Sequence, residues 1–249
     1  MQLALATWPE VERYLGHRRS IIVPIGSTEQ HGPTGLLGTD AICATAIAEE
    51  VGKRVGAYVA PTINVGMAQH HLGFPGTVSL RPTTLIAVIV DCVMSLRRGG
   101  FTKFLFINAH GGNVSSIRTA FSELYAQASF GGTSPDDPIA CDLHNWWETQ
   151  GVVALAAALY GEGEGAHATA SEISLAMHAQ AGHRPEHQRV VGAAAPLAPF
   201  TDAFDFRRRY PDGRIGSDPS LSRTEHGGAF LDAAATDLAR VFVEFERGT

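Results

Sequence analysis

The sequence predicts an α/β fold, a single three-layer α/β/α domain over residues 1–249 with a mainly parallel central sheet. Two observations support this prediction. Short apolar and β-branched runs alternate with longer segments whose apolar residues recur at helical spacing. Turns rich in glycine, proline and histidine separate them, and we find no internal repeat, low-complexity segment or linker. This repeated order of strand, turn and helix is typical of helices packed on both faces of a parallel sheet.

Four strands are predicted from their apolar, β-branched or aromatic residues. The third of them, FTKFLFIN, is the most apolar and aromatic, and it runs directly into a glycine turn that contains His110. Glycine lets the backbone approach a ligand closely in such a turn. The predicted strands lie at residues 21–23, 57–61, 101–108 and 139–143.

Helices are predicted from apolar residues at helical spacing, with signals at their ends. Pro9 and Pro82 stand near a first turn, and Gly56 and Gly99 follow the last apolar residues of two helices. The predicted helices lie near residues 9–15, 40–55, 82–98, 114–127, 152–159, 167–180 and 224–246. Residues 131–138 and 185–211 are predicted to be loops, and the second carries aromatic side chains available to cover another part of the chain: Phe200, Phe204, Phe206 and Tyr210.

Composition and charge limit the classes of function. A hydrophobic fraction of 45% and a charged fraction of 18% are typical of a soluble globular protein. The net charge of −6, with no basic run, argues against nucleic acid or a membrane as partner, and we expect a small-molecule substrate. No apolar stretch reaches the roughly 18 residues of a membrane span, and the N-terminus lacks the pattern of a secretory signal. A cytoplasmic protein is expected, because three scattered cysteines without a CxxC pattern suit a reducing compartment: Cys43, Cys92 and Cys141.

Residues that can bind metal ions stand at several of the predicted strand ends and helix starts. Glu29 and His31 follow the first strand, and in an extended backbone they face the same way. Asp40 stands at the next helix start, where capping alone would also explain it. His110 follows the third strand, and Glu172 lies among apolar neighbours, where an unpaired carboxylate is unfavourable. Because parallel strands end at one edge of a sheet, we expect these side chains to converge there.

Two imidazoles and three carboxylates form a mixed set suited to zinc, manganese or iron. Five ligands exceed what one tetrahedral zinc needs, so we expect two divalent metal ions with Asp40 bridging. A bridging hydroxide would then attack an amide carbonyl. His167 is the candidate donor of a proton to the leaving nitrogen. It stands five residues before Glu172, about 140° around a helix, so we expect it at or before the helix N-terminus, facing the cavity.

Five motifs, STEQHGP, GTD, FPGT, NAHGGN and HATASEIS, occur in an order and spacing that resembles the creatininase family (creatinine amidohydrolase-like). The resemblance covers nearly the whole chain. It implies a three-layer α/β/α fold, two divalent metal ions, hydrolysis of non-peptide C–N bonds such as those of cyclic amides, and a homo-oligomer, hexamers included. By motif it implies one catalytic histidine, His167, and five metal ligands: Glu29, His31, Asp40, His110 and Glu172.

The sequence also departs from the pattern of authentic creatininases. These resemble NGHYEN at the second ligand-bearing strand end, where this chain has Gly112 in place of a ligand glutamate. Ala166 stands where an acidic residue would be expected. Both departures count against creatinine as substrate. The HGGN branch resembles peptide-maturation hydrolases and deformylases of pyrimidine intermediates, so the substrate class stays open.

Other residues have an ordinary structural interpretation beside a functional one. His71 precedes FPGT and is a candidate substrate contact, with a solvated loop as the alternative. Trp146 and Trp147 are candidates for an aromatic wall, or for buried packing. The remaining histidines of the loops and helices are expected to be structural or exposed: His144, His178, His183, His187 and His226.

Two rival functions are considered. One is a non-catalytic, metal-dependent small-molecule binding protein of the same fold, against which the intact ligand set argues. The other is a nucleotide-binding protein that uses HGGN as an anion loop, although the chain lacks both a P-loop and G-x-G-x-x-G. A serine hydrolase has little support, because no G-x-S-x-G element occurs.

Overall fold

The computed structural model describes residues 1–131, 138–181 and 194–248. Nearly all of the predicted loop at 131–138, the first part of the loop at 185–211, and both His183 and His187 therefore lie outside the described residues.

Four parallel strands form one sheet in the order β2-β1-β3-β4. The register pairs Ile25 with Asn108 and Asn108 with Asn145, so the last residues of three strands lie side by side. The loops that follow these strands consequently leave from one edge of the sheet. The strands are β1 (Ser20–Ile25), β2 (Tyr58–Val59), β3 (Lys103–Asn108) and β4 (Ala140–Asn145).

The described part of the chain has eight α-helices, and all of them except the seventh, Ala203–Arg209, pack on the two faces of the sheet. They are α1 (Trp8–Leu15), α2 (Thr39–Val55), α3 (Pro82–Arg98), α4 (Val114–Phe130), α5 (Gln150–Leu159), α6 (Ala170–Ala179), α7 (Ala203–Arg209) and α8 (Thr224–Arg247). Helices α1, α3 and α4 share a core with one face of the sheet, and α2, α5, α6 and α8 share a core with the other. None of these helices combines the length and the apolar character needed to cross a membrane.

Alternation along the strands divides the two cores. In β3, Phe104 and Phe106 lie in the core beneath α3 and α4, whereas Leu105 and Ile107 lie in the core beneath α2 and α8. Successive side chains of a strand point to opposite faces, so a strand covered on both sides is apolar throughout. The predicted α/β/α class with a parallel central sheet is confirmed.

The structure differs from the sequence prediction at α7, which lies within a predicted loop. Asp202 caps this helix by accepting hydrogen bonds from the N–H groups of Phe204 and Asp205. The helix is short and rich in arginine, so it lacks the apolar periodicity that would have revealed it. Of its aromatic residues Phe206 is buried, whereas Phe204 is 83% exposed.

Candidate metal centre

The five predicted ligands converge at the carboxyl edge of the sheet. Glu29 and His31 follow β1, and His110 follows β3. Asp40 is the second residue of α2, and Glu172 lies in the first turn of α6. Glu29, His31, Asp40 and His110 are all buried, and the side chain of Glu172 is 13% exposed. The sheet thus brings together residues up to 143 positions apart.

Two groups of three ligands form within this cluster, and Asp40 belongs to both. The first joins Asp40 to Glu29 and His110, and the second joins it to His31 and Glu172. Within each group the candidate ligand atoms lie within 4.8 Å of one another. One oxygen of Asp40, Oδ1, lies 2.9 Å from Nε2 of His31, and the other, Oδ2, lies 3.3 Å from Nδ1 of His110. The carboxylate of Asp40 therefore spans the two groups.

The carboxylate oxygens of this cluster favour bound cations. Neither oxygen of Glu29, nor Oδ2 of Asp40, has a hydrogen bond of good geometry within the described part of the chain, although all three are buried. A buried carboxylate without such a partner is unfavourable unless a cation compensates it. Nitrogen and oxygen donors in two groups that share one carboxylate suit a pair of divalent metal ions.

The pKa values of the side chains show how strongly the cluster attracts positive charge. Burial lowers the pKa of His31, but the Asp40 and Glu172 carboxylates outweigh burial and raise that pKa to about 10. For His110, too, burial is outweighed by Glu29 and Asp40, and its pKa lies well above the usual value. Burial alone would raise the pKa of Glu29, but the neighbouring His110 and His71 hold it well below its usual range. Burial raises the pKa of Glu172 to about 7.

Backbone carbonyls determine which ring nitrogen of each candidate ligand histidine is free for a metal ion. Nδ1 of His31 lies 3.0 Å from the carbonyl of Glu29, and Nε2 of His110 lies 3.0 Å from the carbonyl of Met67. A carbonyl only accepts, so each of these nitrogens carries the ring proton in the neutral histidine. The lone pairs then lie on Nε2 of His31 and Nδ1 of His110, the two nitrogens that face Asp40.

His167 lies just before α6, where the sequence predicted it. Thr169 is the N-cap of this helix, and Ala168 between them has a φ of +54°. Left-handed backbone is unusual for a residue other than glycine and turns the chain sharply here. Nδ1 of His167 lies 3.9 Å from Oε1 of Glu29. Burial, together with the nearby His71 and His31, lowers the pKa of His167 well below its usual value.

A cavity of about 560 Å³ opens beside the candidate metal ligands. Three of the predicted ligands and His167 line one side of it, and small or apolar side chains of α5 line another. Trp146 and Trp147 both line this cavity, and Trp146 also packs edge-on against Phe230. The apolar wall includes Val152, Val153, Ala156 and Ala157.

His71 lies against Glu29. Its Nε2 is 3.2 Å from Oε1 of Glu29, and the residue is only 1% exposed. Its ring stacks on His167 at 4.4 Å between centroids and meets Phe206 of α7 edge-on at 4.6 Å. This burial contradicts the solvated loop that was the alternative for His71, and its role as a substrate contact stays a prediction.

Gln30 is a site residue that no sequence pattern indicated. Its side-chain nitrogen lies 2.8 Å from Nδ1 of His71 and 2.9 Å from Nε2 of His167. Gly213, which follows α7, accepts a hydrogen bond from the same nitrogen. The available signal was the position of Gln30 between two predicted ligands, Glu29 and His31.

Comparisons with known proteins cover nearly the whole chain. The sequence model of the family described as creatininase, creatinine amidohydrolase, matches residues 4–242. The mycofactocin precursor peptide peptidase of Mycolicibacterium smegmatis is 30% identical over 234 residues, which are 92% of this chain and 81% of that protein. The creatinine amidohydrolase of Pseudomonas putida is 28% identical over 94% of this chain and 92% of that protein.

Solved structures share the fold. A type II mutant creatininase superposes with a TM-score of 0.86 at 24% identity, covering 98% of this chain and 97% of the other. A structure described as creatininase Mn superposes with a TM-score of 0.80 at 24% identity, again covering 98% and 97% of the two chains. At this level of identity, the similarity of these two structures concerns the fold.

Proposed function

The chain belongs to the creatininase family, and on this premise we propose that it is a metal-dependent hydrolase of a non-peptide C–N bond in an amide, cyclic amide or formamide. The single observation that carries the proposal is the pair of ligand groups that share Asp40, with buried carboxylate oxygens left for cations. We assign one ion to Glu29, Asp40 and His110, and the other to His31, Asp40 and Glu172. Two divalent ions there, zinc, manganese or iron, would supply Lewis acidity near neutral pH.

His167 is the proposed catalytic residue. Its Nε2 lies 2.9 Å from the carbonyl of Gln30 and donates to it, so the lone pair of the neutral ring lies on Nδ1. Nδ1 faces Glu29 and can take a proton from the attacking water as the new C–O bond forms. The same proton then passes to the leaving nitrogen as the C–N bond breaks, so that amide and water give carboxylic acid and amine.

Trp146 and Trp147 are the proposed wall for the substrate. A cavity of about 560 Å³ with apolar side chains on α5 lies within the usual size range of small-molecule sites. This wall favours a substrate that carries an apolar group beside the scissile bond. Creatinine remains disfavoured, because Gly112 stands in place of a ligand glutamate and Ala166 in place of an acidic residue.

A peptide-maturation hydrolase is the second candidate. It is supported by the relative that is named a mycofactocin precursor peptide peptidase. The apolar wall of α5 beside the cavity would also suit a peptide with an apolar side chain. As further proposals from the family resemblance and the cysteine usage, we place the protein in the cytoplasm as a homo-oligomer, with a hexamer as one expected state.

A turnover screen tests both candidates. The protein is loaded separately with zinc, manganese and iron(II) and offered cyclic ureides, lactams, formamides and short peptides with apolar residues, with His167→Ala as the matched inactive variant. Hydrolysis of small amides supports the first candidate, and hydrolysis of peptides alone supports the second. Binding of substrate-like compounds without any turnover would favour the rival interpretation of a non-catalytic binding protein.

A further inference from the structure

Two backbone groups fix the orientation of the Gln30 side-chain amide. Oε1 accepts a hydrogen bond from the N–H of Gly32 at 2.8 Å, and Nε2 donates one to the carbonyl of Gly213 at 2.9 Å. A backbone N–H only donates and a carbonyl only accepts, so these contacts establish which end of the amide is nitrogen. Gly213 has a φ of +86°, and a Cβ there would overlap the amide. The close approach therefore requires glycine at position 213.

The fixed amide determines where His71 carries its proton. Nε2 of Gln30 lies 2.8 Å from Nδ1 of His71, and an amide nitrogen can only donate. Nδ1 of His71 must then accept, and the proton of the neutral ring lies on Nε2. This Nε2 lies 3.2 Å from Oε1 of Glu29. The protonated nitrogen of His71 thus faces Oε1 of Glu29 without forming a hydrogen bond of good geometry. The unprotonated nitrogens of His31 and His110 face Asp40 instead.

The main-chain carbonyl of Gln30 determines which ring nitrogen of His167 carries the proton. Nε2 of His167 lies 2.9 Å from the side-chain nitrogen of Gln30 and 2.9 Å from the main-chain carbonyl oxygen of the same residue. The two hydrogens of the amide are used by Gly213 and His71, so the ring donates to the carbonyl. The proton of His167 therefore lies on Nε2, and Nδ1 faces Glu29 with its lone pair.

We propose that Gln30 is a positioning residue that fixes the tautomers of both histidines through two separate groups. Its side-chain amide keeps the proton of His71 on Nε2, so that His71 supports Glu29 and is not a metal ligand. Its main-chain carbonyl keeps the proton of His167 on Nε2, which leaves Nδ1 as the basic nitrogen of the site. The effect on catalysis rests on the proposed function, whereas the two proton positions do not.

Histidine nitrogen NMR tests the proton positions directly. The zinc-loaded protein is labelled with ¹⁵N-histidine, and two-bond ¹H–¹⁵N correlations separate protonated from unprotonated ring nitrogens. The two rings are identified by the signals lost in His71→Gln and His167→Gln. We expect both rings to carry the proton on Nε2. A proton on Nδ1 of His71, or on Nδ1 of His167, in the unaltered protein overturns the proposal.

Variants separate the side-chain effect from the main-chain effect. Gln30→Glu replaces the amide donor with an acceptor, so we expect the proton of His71 to move to Nδ1 while His167 keeps its tautomer as an internal control. The exposed Gln150→Glu carries the same charge change and is expected to alter neither ring. If Gln30→Glu leaves the tautomer of His71 unchanged, the side chain does not control it and the proposal fails.

Zinc affinity gives the second readout. Competition with a chelator is expected to show a loss of about 10- to 100-fold in Gln30→Glu, the range typical of groups that orient metal ligands, and no loss in Gln150→Glu. Equal affinity in both variants contradicts the support of Glu29 by His71. If the unaltered protein hydrolyses nothing in the turnover screen while its tautomers are as expected, the proposed function fails and the assignment of Gln30 stands.

Discussion

Thr169 and Glu172 cap the first turn of α6 reciprocally. Oγ1 of Thr169 accepts from the N–H of Glu172 at 3.2 Å, and Oε1 of Glu172 accepts from the N–H of Thr169 at 2.5 Å. The other oxygen of Glu172, Oε2, lies 3.8 Å from Nε2 of His31. One carboxylate therefore belongs both to the helix cap and to the candidate metal centre, and the capping geometry orients it toward His31.

The cap predicts that Thr169→Ala weakens both stability and metal binding. Loss of the hydroxyl should lower the free energy of unfolding of the metal-free protein by about 1 kcal/mol, measured by urea titration. The freed Glu172 should also bind its metal ion less tightly, as seen by chelator competition. Thr169→Ser keeps the hydroxyl and should restore both. A variant that loses stability but keeps full metal affinity would show that the cap does not orient Glu172.

The sharing of Asp40 predicts different metal losses for two carboxylate variants. Asp40→Asn should lose both ions because Asp40 belongs to both ligand groups, whereas Glu172→Gln should lose one. Metal analysis after gel filtration gives the number of ions per chain. The exposed Asp91→Asn is the control and should keep the full content. Equal loss in Asp40→Asn and Glu172→Gln would contradict the assignment of the two groups.

His167→Ala is predicted to separate catalysis from metal binding. Its Nδ1 is the proposed carrier of the proton, so turnover should fall about 10²- to 10⁴-fold, the range usual for general acid–base groups. Metal content should stay unchanged, and the exposed His17→Ala should affect neither quantity. A parallel loss of metal would instead make His167 a ligand, which the third candidate group of Glu29, His31 and His167 would accommodate.

Substitution by alanine is predicted to have different effects at the two adjacent glycines of the HGGN turn, Gly111 and Gly112. A Cβ at Gly112 would overlap Nε2 of His110 and the carbonyl of Met67, whereas a Cβ at Gly111 meets nothing within 4 Å. Gly112→Ala should therefore displace His110 and lower the metal content, and Gly111→Ala should not. Calorimetric titration with zinc measures the bound metal in both variants. Unchanged zinc affinity in Gly112→Ala would show that His110 can shift without leaving its metal ion.

Much of the fold and the positions of the candidate ligands could be predicted from the sequence, because their signals are local. The alternation of FTKFLFIN with its glycine turn marks β3 and places His110 at its end. The spacing of Glu29 and His31 makes them neighbours in any extended backbone. The angle around a helix keeps His167 and Glu172 off one helical face, so a His167 that faces the same cavity has to lie at or before the start of α6. For each of these features, a few residues close together in the sequence are enough for the prediction.

The tertiary structure decided what depends on contacts between distant segments. The sequence predicted that Asp40 bridges two ions. In the folded chain its two carboxylate oxygens lie next to His31 and His110. The proton positions on His71 and His167 depend on Gln30, which is held by Gly213, a residue 183 positions away that follows the helix α7. A hydrogen bond between such distant residues leaves no periodic trace in the chain. The sequence by itself thus supplied the groups that can bind metal, and the folded contacts determined how each of them is oriented and protonated.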